Sequence, residues 1–311
     1  MYFPYLRGRQ YELLALRELV RQDLLSTEIL PVIEPVKLSS TLLSTMEEFI
    51  NKGKKLAIVC NPAVGSFNAQ LKTEETGIGR QRFWELLGQT FIVKSHIMKA
   101  NSKTVLETWK KEKNVQETDW LVICNTHDYV DSYLQIFGNM KSKYVLISDK
   151  FRRRIRKNRV LFEDRFMKCD RNSDYLKNTD EFFSEDHLFY KDEGYVGFGD
   201  YSIIGNEYME SGFAPYAVAI HIVYFDQKQN LRIHHFVSES NDDIQNPAKK
   251  FYEALIKLKE GMKTYNIQET KGVSDFLQCL ENGTYPGLGS VKKLSLMHHL
   301  ELMGNYLNGV K

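Results

Sequence analysis

A chain of 311 residues with 42% apolar content can bury a sizeable core, and α/β barrels reach roughly 250 residues as one unit. Lys and Arg number 42 against 40 Asp and Glu, a net charge of +2, which excludes a global drive towards nucleic acid or anionic membrane. No run approaches the ~20 apolar residues of a membrane span, so no membrane partner is predicted.

The chain alternates short apolar runs, each ending in a polar residue, with amphipathic stretches. Run one covers residues 2–6 and ends at Arg7; a helical pattern follows over 10–24. Run two covers 29–36 and contains Glu34; a Ser/Thr-started helix follows over 40–51, with Ser39, Ser40 or a Ser44/Glu47 box as cap and Gly53 in the C′ position. Run three (56–60) ends at Asn61, and run four (91–98), the least apolar, carries Lys94 and His96. Run five (120–124) ends at Asn125, run six (144–147) at Asp149, run seven (160–162) at Glu163, and run eight (195–198) at Gly199-Asp200.

Continuous apolar strands with helices between them suit a parallel sheet covered on both faces. Eight of them predict a (β/α)8 barrel of the TIM type over residues 1–311. A doubly wound open sheet is the alternative, but Arg7-Gly8-Arg9 lacks its Gly-rich nucleotide turn. The C-terminal part departs from the alternation. Residues 216–225 and 231–237, linked by 226–230, predict an antiparallel hairpin insertion over 216–237. Helices are predicted over 247–262, 273–280 and, at the end of the chain, 290–307.

Function in such barrels sits at the C-terminal ends of the strands. Arg7, Glu34, Asn61, Lys94, His96, Asn125, Asp149, Asp200 and Tyr201 therefore form the candidate site. Glu34 and Asp200 are candidate general bases; Lys94 and His96, two apart on one strand and so on one face, would stabilise negative charge or meet Glu34. Arg7, Asn61, Asn125, Asp149 and Tyr201 are candidate ligand contacts. Among the eight histidines no HExxH spacing occurs, so no metal is predicted, although His127-Asp128 with Asp149 and Asp200 make a mixed N/O set. The adjacent pairs His234-His235 and His298-His299 each predict one packing histidine. Nothing in the sequence names a cofactor.

Residues 150–159 carry the densest run of basic charge. With acidic residues following at once, the run predicts a solvated face or a docking surface for an acidic protein partner before it predicts nucleic-acid binding. Tyr285-Pro-Gly-Leu-Gly-Ser290 ahead of a helix predicts a capped turn, with Ser290 as N-cap and a possible anion at the helix start. The four cysteines, Cys60, Cys124, Cys169 and Cys279, form no CxxC pair and predict reduced thiols in a cytoplasmic protein.

The opening Tyr2-Phe-Pro-Tyr-Leu-Arg-Gly-Arg9 with Leu30-Pro-Val-Ile-Glu-Pro35 resembles the Beta family of bacterial and phage proteins. Gly197-Phe-Gly-Asp-Tyr201, Ile233-His-His-Phe-Val-Ser238 and Tyr285-Pro-Gly-Leu-Gly289 look like a bacterial subgroup of it. The resemblance spans the chain and implies one continuous cytosolic domain and a setting in phage–host conflict. It assigns no catalytic residue. Two functions are therefore carried forward: an enzyme acting on a small anionic or nucleotide-like ligand at the barrel mouth, and a non-catalytic module that docks a protein partner.

Overall fold

The computed structural model describes residues 1–73, 77–138, 141–210 and 215–310. They form two compact units. One comprises Met1–Gln10, Thr27–Glu163 and Phe189–Asp200, the other Tyr11–Ser26, Asp164–Leu188 and Tyr201–Lys311.

The first unit is the parallel barrel. Its strands are β1 (Tyr5–Leu6), β2 (Val32–Ile33), β3 (Leu56–Val59), β4 (Ile92–Ile97), β5 (Leu121–Ile123), β6 (Tyr144–Ile147), β7 (Arg159–Phe162) and, after a strand of the second unit, β9 (Gly197–Gly199). They pair side by side in this order. The ends of the sheet also meet: Phe3 N–H donates to the Phe198 carbonyl at 2.8 Å and Tyr5 N–H to that of Asp200 at 2.8 Å. An open doubly wound sheet would leave those edges unpaired. All eight predicted runs are strands, and the polar fourth run is the longest of them, at six residues. Helices α2 (Ser40–Asn51), α3 (Phe67–Thr73), α4 (Ile78–Leu87), α5 (Ser102–Lys113) and α6 (Val130–Phe137) fall between strands β2 and β6. Of the caps considered for α2, Ser39 serves, its Oγ accepting from Leu42 N–H at 3.2 Å.

Ring contacts reveal which residues face the barrel axis. Phe3 and Tyr144 lie three strands apart, yet their ring centroids are 5.0 Å apart, and Tyr5 lies 5.5 Å from Phe162. Such contacts run through the middle of the barrel. They are possible because β9 offers no side chains there. A Cβ on Gly197 would come within 2.5 Å of the Phe3 ring, and one on Gly199 within 2.4 Å of the Phe3 carbonyl oxygen. Following the parallel register round the circle, Tyr5, Val32, Ala57, Val93, Ser95, Leu121, Tyr144, Leu146, Val160 and Phe162 face inwards. Side chains alternate along a strand, so Ile58, Lys94, His96 and Val122 face outwards.

The second unit contains α1 beyond its first residue (α1 is Gln10–Arg21), a three-stranded antiparallel sheet and three long helices. The predicted hairpin is present as β10 (Ala219–Phe225) and β11 (Leu231–Val237), paired from Ala219–Val237 to Phe225–Leu231. Its link is closed by Asp226, whose carboxylate accepts from the backbone N–H of Lys228 and Asn230. The hairpin does not stand alone. Strand β8 (Asp180–Ser184), which the sequence pattern does not predict, pairs with β11 and makes it central. A short α7 (Asp186–Phe189) follows β8, and helices α8 (Pro247–Thr264), α9 (Lys271–Asn282) and α10 (Leu288–Leu307) complete the unit, with α8 and α10 packed on the sheet. Every residue of β11 but Arg232 is buried, so this strand belongs to the core of the unit.

Both members of each adjacent histidine pair are buried, where one packing histidine was expected. His298 bonds Thr270 Oγ1 and the Val223 carbonyl oxygen, at 2.8 and 2.7 Å. His299 Nδ1 bonds Ser202 Oγ at 2.7 Å. The cause is α10 itself, which is buried through nearly all of Leu294–Gly304, so neighbouring positions both find a protein wall. Among the described residues no helix is long and apolar enough to cross a membrane, and all four cysteines are free thiols.

Candidate functional site

Inward parity carries four candidates to the C-terminal end of the barrel: Arg7, Glu34, Asn61 and Asn125. Glu34 is fully buried. It accepts hydrogen bonds from Tyr5 Oη at 2.8 Å and Ala63 N–H at 2.6 Å, and pairs with the Arg7 guanidinium. A buried carboxylate must be satisfied in this way. Through these three contacts Glu34 holds β1, β2 and the segment after β3 together.

Asn61 is engaged too. Its amide nitrogen donates to the Ile97 carbonyl at 2.8 Å and its Oδ1 accepts from Ile97 N–H at 2.8 Å. The side chain thus extends the pairing of β3 with β4 beyond the strand. Asn125, half-buried after β5, has an Oδ1 with no hydrogen-bond partner.

The outward candidates behave differently. His96 is 1% exposed, and its Nε2 bonds Ser102 Oγ at 2.8 Å at the start of α5. Burial pushes its pKa down to about 3, with the charge of Lys99 acting in the same direction. A neutral imidazole packed edge-on to Trp120 cannot supply positive charge at the mouth. Lys94 and His96 do share a face, as expected, but it is the helix-facing one, whereas Glu34 faces the axis. Asp149 also lies on the outer wall, bonded by Tyr195 Oη at 2.7 Å and Arg152 Nη1 at 2.7 Å. Asp200, 3% exposed, accepts from Tyr2 Oη at 2.7 Å. Tyr201 is the first residue of the next stretch of the second unit. Among the described residues no three His, Cys, Asp or Glu side chains are placed to hold a metal ion, so His127, Asp128, Asp149 and Asp200 do not form a metal set. Ser290 does not cap α10: its Oγ donates to the Pro286 carbonyl, and Gly287 takes the cap position.

What the barrel mouth does present is a cleft of about 610 Å³ beyond β3 and β4. Three cations line it, Lys72 of α3, Arg80 of α4 and Lys99 of the loop after β4, together with Asn61, Asn68 and Asn101 and the indole of Trp84. No carboxylate is among the lining residues that are described. Lys99 spends two of its three donors on the carbonyls of Asn61 and Pro62, at 2.9 and 3.1 Å. Burial lowers its pKa, and the nearby Glu34 charge partly restores it. Asn101 precedes α5 without a side-chain cap, so the positive end of that helix adds to the field of the cleft. The chain's three tryptophans form a row: Trp120 to Trp109 at 5.2 Å, and Trp109 to Trp84 at 5.7 Å. Of the cleft residues, the sequence reading had only Asn61. Lys99 could have been found as the cation between a strand end and an Asn-Ser helix start; Lys72, Arg80 and Trp84 sit on helices and carry no such mark.

No protein-family model, no curated protein and no solved structure matches the chain.

Proposed function

We propose that the barrel mouth binds a small anionic ligand of the nucleotide class, in the cleft walled by Lys72, Arg80, Lys99 and Trp84. The observation that carries this reading is a cleft lined, among the described residues, by three cations and three amides with no carboxylate. The cluster of three cations favours phosphate, the amides supply donors and acceptors, and the indole supplies a stacking surface for a base. Glu34 and Asp200 are committed to Arg7 and Tyr2, so the reading is one of binding, with no general base assigned. The resemblance of residues 2–9 and 30–35 to the Beta family supports a setting in phage–host conflict and adds no reaction.

The tryptophan row provides the readout. Titration with ADP, AMP and pyrophosphate should quench intrinsic fluorescence saturably. Arg80→Gln should weaken ADP binding by about tenfold or more, as expected for loss of a charge-assisted hydrogen bond. Fluorescence that stays flat at millimolar ligand, or an Arg80→Gln titration superimposable on wild type, refutes the site.

A further inference from the structure

The crossover from β6 to β7 contains no α-helix among its residues, only a turn of 3-10 helix at Asp149–Phe151. Phe151 and Ile155, 3% and 2% exposed, take the place of a helix against the outer wall. With those two positions turned inwards, Arg152, Arg153, Arg154 and Arg156 are left outside, all exposed. Much of the basic run is thereby explained as a solvated face. A remainder is not.

Arg159, the first residue of β7, donates to the carbonyls of Arg152, Glu193 and Gly194 at 2.6, 2.6 and 3.2 Å, and its guanidinium lies 4.6 Å from the centroid of the Tyr195 ring. It clamps the arginine turn to the segment ahead of β9. Asp149, held by Tyr195 Oη, fixes Arg152 at 2.7 Å. Between the two clamped segments is a groove of about 600 Å³, walled by Arg152, Arg153, Arg156 and Arg159, with Glu193 as its single acidic residue. Arg156 bonds only the Arg153 carbonyl, and neither it nor Arg153 has an acidic partner among the described residues.

We propose that this groove is a second anion site, which takes a chain of phosphates such as a di- or triphosphate group. Four guanidinium groups against the carboxylates of Glu193 and Asp149 leave a net positive charge that an extended anion would neutralise, and Arg153 and Arg156 have no acidic partner among the described residues. The frame is set in advance by Arg159 and Asp149, so ordering the site costs little. A compact anion would use one fork; the spread of four along the groove fits linked phosphates. Asp149, a candidate ligand contact in the sequence, becomes a positioning residue acting through Arg152. The proposal is independent of the cleft beyond β3 and β4, which none of these residues lines.

Calorimetric titration of the full chain with tripolyphosphate tests it, with Arg153→Gln/Arg156→Gln, Asp149→Asn and Arg80→Gln as variants. The double variant should weaken one binding event by at least about tenfold, while Arg80→Gln leaves that event unchanged. Asp149→Asn should weaken it severalfold although the net charge becomes more positive, because Arg152 loses its anchor. Absence of a saturable event, or an event untouched by the double variant, overturns the site. Tighter binding by Asp149→Asn overturns the preorganised geometry in favour of diffuse attraction. A single-stranded oligonucleotide that binds tightly and is not displaced by tripolyphosphate overturns the assignment to a small phosphate chain.

Discussion

The two units differ in the balance of ionisable side chains they bury. At the barrel mouth Glu34 is buried against the Arg7 guanidinium, with Tyr5 Oη and the Ala63 amide donating to it. In the second unit, beside buried Glu12, Asp186, Lys250 and Glu301, the prominent buried groups are histidines held neutral. Burial lowers the pKa of His187, His221, His234, His235, His298 and His299, against His96 alone in the barrel. A charged buried group is stable only while its partners remain; a neutral one is stable only while it stays unprotonated. The units should therefore fail under different insults, one to mutation of a partner and the other to acid.

Acid should have the largest effect. His298 and His299 titrate at about 4 and about 3 in the folded protein, against 6.5 when unfolded. A depressed histidine pKa means that the unfolded chain takes up protons first. The stabilisation is complete well above pH 6.5 and is lost as pH falls towards the folded values. Between pH 8 and 5 the two should together cost about 4 kcal/mol. Hydrogen exchange at the two pH values checks this: amides of α10 and β10 should lose more protection than those of β3–β5, and equal losses would break the comparison.

Next in size is Glu34→Ala, expected to cost about 3–4 kcal/mol because it strands Arg7 and two donors; urea unfolding at pH 7.5 measures it. Tyr5→Phe removes one donor to a charged acceptor and should cost about 2 kcal/mol in the same assay. Thr270→Val removes a hydroxyl from neutral His298 at nearly constant shape, and should cost about 1 kcal/mol. If Thr270→Val proved costlier than Tyr5→Phe, the division into charged and neutral burial would be wrong.

The architecture was legible because strands covered on both faces are mostly apolar, β4 with Lys94, Ser95 and His96 being the exception. Runs such as 56–60 and 144–147 are apolar throughout, and their count predicted closure. Strand β8 was not legible: its residues Asp180 and Glu181 pair with Arg232 and His235 across the sheet, so its charges are satisfied by partners distant in sequence. The candidate site was legible in part. Arg7, Glu34 and Asn61 lie at the C-terminal ends of their strands, where they make contacts within the protein. Lys94 and His96 show why: spacing tells that two residues share a face, and only closure tells which face looks inwards.

By itself the sequence determined the barrel strands, the hairpin and the apolar register of the elements, all of which follow from local periodicity and the cost of burying polar groups. Tertiary structure alone decided which polar groups remained available. Glu34 and Asp200 were consumed by Arg7 and Tyr2, whereas Lys72, Arg80 and Lys99 were brought from two helices and a loop to one cleft. Satisfaction of a charge depends on distance in space, and chain closure brings together residues whose separation along the sequence gives no sign of it.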